Sequence, residues 1–303
     1  MVDLLEREYV YLSYYLSIQI EQIAPYWVLG ILLGSLVSVF AKQKIHSLFL
    51  SLQDRHLGVF GIIPASLLGI ASPLCMYGTI PIVASFSSKG MRDDWLASFM
   101  MSSMLLNPQL LIYSKALGNQ MFALRFIFCF LGGVCAGLCV RFFFRGKAFF
   151  SFPRLPEPTN RDTHPNFALR LLLNIWRNVK VTGPYFLFGV LLTALYQRYV
   201  PQEWVAGIFG RREHGLGILL ATTLGVPLYV CGGGTIPLLA EWLQNGMSAG
   251  SAVAFVLSGP ATKITNLSAL KAVFRPMHFL YYIAFVILFA IVSGILVDLL
   301  VKR

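Results

Sequence analysis

The chain has 303 residues, of which 57% are hydrophobic and only 12% are charged. A soluble domain carries about 25% charged residues, so this composition excludes a soluble globular protein, and the apolar residues fall in long blocks typical of membrane spans. The formal net charge is +11, but the basic residues flank the apolar blocks, where they indicate membrane orientation and lipid contact rather than nucleic-acid binding.

The first 24 residues are predicted to form an interfacial helix that leads into the first span. They begin with an acidic segment, residues 1–8, where a cleavable signal peptide would carry positive charge. Beyond this helix the apolar blocks predict eight spans, each near the length needed to cross about 30 Å of hydrocarbon. In chain order the predicted spans are residues 26–41, 57–73, 95–115, 121–143, 172–197, 215–230, 248–270 and 277–301.

Two of these spans, 57–73 and 215–230, are short, and each runs into a segment that contains Gly and Pro, at 74–88 and 231–245. Gly and Pro in such a position predict an interrupted membrane helix. The longest polar stretch, 145–165, lies between the two halves of the chain. Its prolines predict a linker, and its arginines predict a cytoplasmic position by the positive-inside rule.

The two sides of this linker resemble each other. Residues 25–33 resemble residues 184–192, and residues 75–102 align without a gap with residues 231–258. Ten of those 28 aligned positions are identical, where average amino-acid usage would give about two. Interrupted hydrophobic segments at matching places in two halves are typical of transporters, with the binding site where the interruptions meet. The alternative is a duplicated bundle whose glycines serve only close helix packing.

The predicted fold is an all-α membrane protein, a polytopic helical bundle of two repeats with interrupted, re-entrant helices. Residues 1–150 form the first repeat, and residues 151–303 form the linker and the second repeat. If the interrupted segments count as crossings, each half has five crossings and the repeats are inverted. That count conflicts with the positive-inside rule because it leaves basic residues outside, at positions 198, 211, 212, 302 and 303. We favour inverted repeats over the parallel repeats that four crossings per half would give.

The most informative motif, Cys-x-x-Gly-Thr-Ile-Pro, occurs once in each half, at residues 75–81 and 231–237. Thr followed by Pro is typical of a helix N-terminus, with Thr as the N-cap. Two such N-termini would direct their positive dipole ends towards a shared point. The substrate-binding residues that these motifs predict are Cys75, Gly78, Thr79, Pro81, Cys231, Gly234, Thr235 and Pro237.

The two motif cysteines are also candidate metal ligands. Near the midplane, Cys75 and Cys231 would form a soft ligand pair for a thiophilic metal or metalloid. The alternative is that each is a small packing residue beside a glycine. The sequence leaves both interpretations open, because equivalence by repeat does not prove that two side chains are close together.

A second constellation follows each motif. Asn107 aligns with Lys263, and the nearby prolines, Pro108 and Pro260, are predicted to kink their spans. Lys263 lies deep in its apolar stretch, and an intramembrane charge indicates function by default, although a lysine in a tilted span would reach the interface instead. The substrate-binding residues predicted here are Asn107, Thr262, Lys263 and Asn266.

Several function classes are disfavoured. Acidic residues are almost absent from the spans, which argues against coupling through buried carboxylates and against cation channels lined by acidic rings. The sequence contains no nucleotide-binding P-loop, no His/Glu metal signature and no nucleophile elbow. We therefore predict neither an enzyme nor a cofactor. The predicted partners are a small molecule or ion as substrate and membrane lipids, with a homo-oligomer left open and no nucleic acid.

The paired runs resemble the bacterial predicted-permease family that includes the organoarsenical efflux permeases and the YraQ-like permeases. The likeness covers nearly the whole chain, and Gly-Pro-Ala-Thr at residues 259–262 is its most specific part. The resemblance implies a multi-pass permease of the bacterial inner membrane that exports trivalent arsenicals. The segments that carry it are Cys75, 78–81, 89–90, 107–108, 226–237, 246–248 and 258–263.

The chain departs from that family at one place. Similar permeases often show Cys-x-Cys-Gly in the first half, whereas this chain reads Cys75-Met76-Tyr77-Gly78, so a site of two adjacent thiols is not implied. Three functions remain as hypotheses. The first is efflux of a thiophilic species, and of a metalloid in particular, by alternating access with Cys75 and Cys231. The second is carriage of a small anion by helix N-termini and Lys263. The third is a membrane assembly factor without transport.

Overall fold

The computed structural model describes residues 2–53, 58–73, 76–88, 90–144, 149–150, 166–199, 207–210, 215–229, 232–271 and 274–301. Within these ranges the secondary structure is helical, which confirms the predicted all-α class. The main helices are α1 (Val2–Gln53), α2 (Ile62–Ala71), α3 (Met76–Ser88), α4 (Asp93–Leu105), α5 (Pro108–Tyr113), a 3₁₀ turn (Ser114–Leu117), α6 (Asn119–Phe143), α7 (Phe167–Tyr199), α8 (Leu216–Leu228), α9 (Gly232–Gln244), α10 (Ala249–Thr262), α11 (Ile264–Lys271) and α12 (Pro276–Leu300).

Three of the described helices are long and apolar enough to cross a membrane: Ile23–Phe40 within α1, α6 and α12. A fourth crossing is formed if α4 and residues 108–117, which bend by 42°, make one broken span. The other predicted spans correspond to shorter apolar helices, and a helix of ten residues is only about 15 Å long. These helices support a membrane-integral protein, and the number of crossings stays a prediction.

Helix boundaries differ from the predicted spans in three places. The expected interfacial helix is continuous with the first span, because α1 runs through Pro25. The span predicted at 95–115 ends at Leu105 and resumes at Pro108. The span predicted at 248–270 is broken at Lys263 and not at Pro260, which lies inside α10. Neighbouring helices in a membrane protein satisfy the backbone around an internal proline, so the proline alone does not set the end of the helix.

The interrupted segments are themselves helical. Thr79 lies inside α3 and Thr235 inside α9, three residues after the first described helical residue in each case. The prediction that these threonines are N-caps is therefore wrong. The chain leaves helical geometry earlier, at residues 72–73 and at Tyr229. Gly and Thr beside a proline do not end a helix where adjacent helices pack closely against it.

The same close contact occurs at the centre of each half. A Cβ atom at Gly69 of α2 would collide with the Ser102 hydroxyl on α4, and a Cβ atom at Gly225 of α8 would collide with the Ser258 hydroxyl on α10. Both glycines and both serines occupy aligned positions, 156 residues apart. Small residues at these crossings let the backbones approach, which is how membrane helices gain packing energy without a hydrophobic driving force.

The first helices of the two halves, α1 and α7, run antiparallel. Arg198 near the end of α7 donates hydrogen bonds to Glu8 near the start of α1, and these bonds lower the pKa of the Glu8 carboxyl. Towards the other end of the pair, Asn178 donates to Ser35. Between them Trp27 stacks on Phe186, with ring centroids 4.8 Å apart. The crossing point is therefore formed by two residues that occupy the same position in the aligned segments 25–33 and 184–192.

The last helices of the two halves, α6 and α12, cross in the same way. The first residues of the two helices are 157 positions apart in the sequence, and Gly132 and Phe289 are separated by the same number of positions. A Cβ atom on Gly132 would lie 3.0 Å from the phenyl ring of Phe289. Phe144, just after α6, contacts His278 near the start of α12, so these helices are also antiparallel. Contacts between equivalent residues of antiparallel helices are expected on a two-fold axis in the membrane plane.

We expect Gly69→Ala to destabilise the protein by about 1–3 kcal/mol, because the new methyl group would meet the Phe99 carbonyl oxygen at 2.5 Å as well as the Ser102 hydroxyl. Gly183→Ala is the matched control, since nothing lies within 4 Å of a Cβ atom at that helical glycine. Thermal unfolding in detergent should show a lower midpoint only for Gly69→Ala. Equal midpoints would contradict the close α2–α4 contact.

Candidate functional site

The candidate site lies where α4 and α10 end. Each of these helices is followed by a short break and then by a second, shorter helix. In the first half the break is Leu106–Asn107, and in the second half it is Lys263. Asn107 and Lys263, which align in the sequence, therefore both lie in a break. Backbone groups freed by such a break need partners inside the protein.

Side chains provide hydrogen-bond partners for the backbone at the break in the first half. Asn107 is the N-cap of α5, and its Oδ1 accepts a hydrogen bond of 2.8 Å from the Leu110 backbone N–H. Pro108 follows at the first position of the helix, where a missing N–H is tolerated. The hydroxyls of Thr79 and Ser103 share a hydrogen bond of 3.1 Å, which ties α3 to the last turn of α4. Of the predicted residues, Asn107 thus stabilises the helix that follows this break, and Thr79 stabilises the end of the helix that precedes it.

Side chains also satisfy the last carbonyl groups of α10. Asn266 Nδ2 donates to the Pro260 carbonyl at 2.6 Å, and the Tyr282 hydroxyl donates to the Ala261 carbonyl at 2.8 Å. The Thr262 hydroxyl donates back to Ser258 within the helix. Lys263 follows at the C-cap position, half-buried, and interacts with other residues of the chain. The predicted residues Thr262 and Asn266 therefore stabilise the break rather than point freely into a cavity.

The interrupted helices pack crosswise between the halves. α3 packs against α11 of the second half, and α9 packs against α5 and the following 3₁₀ turn of the first half. In the described part of the chain α3 and α9 do not form a packing pair of their own. The helix that carries each motif therefore packs against the helix that follows the opposite break.

The remaining predicted residues lie as follows. Thr79 and Thr235 are 1% and 4% exposed, and Pro237 is buried within α9. Gly78 and Pro81 belong to α3, and Gly234 belongs to α9. Cys75 and Cys231 lie outside the described residues, so their role as soft ligands stays a prediction. Among the residues that the structure does describe, no three His, Cys, Asp or Glu side chains cluster to hold a metal ion.

A cavity of about 590 Å³ lies between α4, α6 and α12, and sequence reasoning missed it. Aromatic rings and sulfur atoms dominate its wall. Tyr282 forms part of the wall, and its hydroxyl bonds to the Ala261 carbonyl and lies 3.5 Å from the Met104 sulfur. The lining residues are Ala97, Met100, Met101, Met104, Ala136, Cys139, Val140, Phe143, Phe144, Phe149, Phe150, Phe274, His278, Tyr281, Tyr282, Ala284, Phe285 and Leu288.

Phe149 also lines the cavity and is held by both halves. Its backbone N–H donates to Asp93 of α4 at 2.7 Å, and its carbonyl oxygen lies 2.7 Å from Nδ1 of His278 on α12. A carbonyl oxygen only accepts, so Nδ1 carries the proton and Nε2 of a neutral ring is left as an acceptor. The adjacent Asp94 pairs with Arg141 and so joins α4 to the end of α6.

The chemistry of this wall selects against charged solutes. The described residues that line the cavity include three methionines and one cysteine but no Lys, Arg, Asp or Glu. Thioether and thiol sulfurs are soft and polarizable, and aromatic rings favour apolar groups. Pockets of about 300–1,000 Å³ hold small molecules. The arrangement therefore suits a small, neutral solute that is apolar or thiophilic.

Comparison with known proteins places the chain in a family. The profile described as "Predicted permease" matches residues 11–299. The chain belongs to this predicted-permease family. No solved structure matches it.

Three relatives resemble the permease over most of its length. The UPF0718 protein YcgR of Bacillus subtilis is 24% identical, with 94% of this chain and 96% of the relative covered. A putative two-component membrane permease complex subunit of Streptococcus mutans is also 24% identical, with 94% and 95% covered. The UPF0718 protein MJ0584 of Methanocaldococcus jannaschii is 20% identical, with 89% of each chain covered.

The family confirms the resemblance seen in the sequence. Membership of a permease family indicates transport rather than catalysis, and the apolar helices agree with a permease that is integral to the membrane. The match spans both halves and therefore includes the two breaks and the cavity between α6 and α12.

Proposed function

We propose that this permease moves a small, neutral, thiophilic solute out of the cell across the bacterial inner membrane, with a trivalent arsenical as the leading candidate. The observation that carries the proposal is the cavity between α6 and α12. Its wall includes both Phe149 and Tyr282, and Tyr282 bonds to the carbonyl two residues before Lys263. A solute in this cavity would reach the break that follows α10.

Alternating access is the mechanism we infer. The antiparallel crossings at Trp27–Phe186 and Gly132–Phe289 join equivalent residues and support inverted repeats. In a transporter built from inverted repeats, one bundle rocks against the other and exchanges the conformations of the two halves. The cavity lies on one side of the α6–α12 crossing, between the C-terminal half of α6 and the N-terminal half of α12. An exchange of conformations would close it and open its equivalent on the other side.

The orientation of the cavity is inferred from charge. The part of the cavity wall at Phe149 lies beside Asp93, and the adjacent Asp94 pairs with Arg92 and Arg141. The Arg-rich linker predicted to be cytoplasmic begins directly after α6. We infer that this end of the cavity faces the cytoplasm, and export of a solute that enters from there is the direction we propose.

Filling the cavity should abolish transport. Ala136→Trp places a large ring in the cavity wall, whereas Ala123→Trp places the same ring at an exposed position of the same helix that does not line the cavity. Cells that depend on the permease for resistance to methylarsenite should lose resistance with Ala136→Trp and keep it with Ala123→Trp. Membrane levels of both variants are measured by immunoblot. Full resistance with a well-expressed Ala136→Trp would contradict a route through this cavity.

The thiophilic proposal also predicts a requirement for the motif cysteines. The double variant Cys75→Ser/Cys231→Ser should abolish metalloid resistance without lowering the membrane level, because a hydroxyl is a poor ligand for a soft ion. Cys135→Ser is the control, since this half-buried thiol of α6 does not line the cavity. Resistance that survives the double substitution would remove the soft ligand pair from the mechanism.

A small-anion carrier is the second candidate, and the position of Lys263 favours it. This residue lies in the break after α10, next to the carbonyl groups that Asn266 and Tyr282 satisfy. If the solute is an anion, Lys263→Ala should abolish its uptake or efflux in vesicles, whereas Lys271→Ala at the exposed end of α11 should not. Full transport by Lys263→Ala would exclude this candidate.

A partner subunit is a further part of the proposal. The Streptococcus mutans relative is named as a subunit of a two-component membrane permease complex. We extend that organisation to this chain, with a second protein as its partner in place of, or together with, a second copy of itself. An assembly role without transport would leave the cavity between α6 and α12 without a purpose, so we favour transport.

A further inference from the structure

Arg125 on α6 is a fully buried charge. Its side chain is 0% exposed, and it lies six residues after the start of the helix, about 9 Å along the axis. Its Nη1 donates a hydrogen bond of 2.8 Å to the Ser114 hydroxyl, which in turn donates to the Leu110 carbonyl. Charged side chains inside a membrane span are rare, and they mark pathways or binding sites for ions and substrates.

One edge of this guanidinium has no hydrogen-bond partner among the described residues. The atoms of that edge, Nε and Nη2 of Arg125, are both buried. Two other arginines use the same Nε–Nη2 edge to hold a carboxylate. Arg92 binds Asp94 with distances of 3.1 and 2.7 Å, and Arg198 binds Glu8 with distances of 2.9 and 2.6 Å. The edge that binds a pair of oxygens elsewhere in this protein therefore has no such partner at Arg125 in the part of the chain that the structure describes.

Neighbouring groups compensate the charge only weakly. The thiol of Cys129, one turn further along α6, makes a side-chain hydrogen-bonding contact with Arg125, but a thiol is only a weak acceptor and carries no negative charge. Ser114 supplies a single acceptor, on the opposite side of the guanidinium. The ion pairs recorded for the described residues involve other arginines. A buried cation without a partner is strongly unfavourable, so the site favours an anion that enters it.

We propose that the Nε–Nη2 edge of Arg125 binds a small anion with two acceptor oxygens, a carboxylate or an oxyanion. The planar fork of a guanidinium matches that geometry and makes two parallel, charge-assisted hydrogen bonds. Because the side chain is fully buried, a free small anion fits better than the phosphate of a lipid headgroup. This site goes beyond the proposed function, since the cavity wall between α6 and α12 carries no charge to hold an anion.

The position of Arg125 relates the anion site to transport. Arg125 and Tyr282 are 157 residues apart, the offset that also separates the starts of α6 and α12. Tyr282 lines the cavity, so Arg125 occupies the equivalent place in the other half of the α6–α12 pair. An anion bound there would lie where the equivalent cavity is expected to open when the two halves exchange conformations.

The test uses the full chain, purified in a chloride buffer, with acetate and inorganic phosphate as probes. Thermal unfolding of the wild type should shift upwards with probe concentration, since ligands that bind the native state stabilise it. Arg125→Gln should lose the shift. Lys115→Gln is the matched control, because it removes one positive charge next to Ser114 from an exposed side chain and should keep the shift.

A second variant separates binding from a structural role. Arg125→Met should unfold at a higher temperature than the wild type in chloride, because it removes an uncompensated buried charge, and it should not respond to the probes. If Arg125 has a structural partner instead, Arg125→Met will be destabilised, and that result would overturn the proposal. If Arg125→Gln does not fold, equilibrium dialysis of the wild type against radiolabelled phosphate and acetate decides, and absence of binding overturns the site.

A further measurement distinguishes a free small anion from the phosphate group of a bound lipid. Native mass spectrometry that finds an anionic phospholipid on the wild type and not on Arg125→Gln, together with no shift by either probe, would overturn a free-anion site. A different experiment tests the proposed function. If methylarsenite resistance survives Cys75→Ser/Cys231→Ser, the thiophilic proposal fails, but the thermal shift with acetate and phosphate is still expected.

Discussion

Backbone groups at the breaks after α4 and α10 need hydrogen-bond partners inside the protein, because hydrocarbon supplies none. Side chains meet this need in both halves. Asn107 caps α5 from within the first break, and Asn266 and Tyr282 bind the last carbonyl groups of α10 in the second. With these partners in place, two helices end and restart in the interior, and the Ala261 carbonyl meets Tyr282, which lines the cavity. The proposed route from the cavity to the second break and the proposed role of Lys263 both depend on that arrangement.

Close packing by small residues keeps the breaks in position. Gly69 and Gly225 allow α4 and α10 to lie directly against α2 and α8, and Gly132 allows α6 to approach Phe289 of α12. The cavity lies to one side of this crossing, between the C-terminal half of α6 and the N-terminal half of α12. The α6–α12 contact at Gly132 therefore lies beside the route that a solute would follow.

Two chemically different environments lie on α6. Its C-terminal half lines a cavity of rings and sulfur atoms, which favours neutral and soft solutes, whereas its N-terminal half buries the guanidinium of Arg125. The uncharged cavity and the buried guanidinium therefore lie towards opposite ends of the same helix. If the two halves are inverted repeats, these places are equivalent in position and have diverged in chemistry, as Tyr282 and Arg125 illustrate. Such a difference would allow the two equivalent sites to bind chemically different ligands.

The sequence alone determined the membrane class and the family, because long apolar blocks and repeated motifs are local signals. It placed the helix interruptions at 75–81 and 231–237, and near the observed breaks at residues 106–107 and 263 it predicted only kinks at Pro108 and Pro260. It misplaced the helix starts at Thr79 and Thr235, since adjacent helices override the tendency of Gly and Pro to end a helix. Only the tertiary structure revealed the cavity, the crosswise packing of α3 and α9 and the burial of Arg125. The cavity and the crosswise packing arise from residues brought together across more than 100 residues of chain, such as Met104 and Tyr282, and no local pattern records which of them meet.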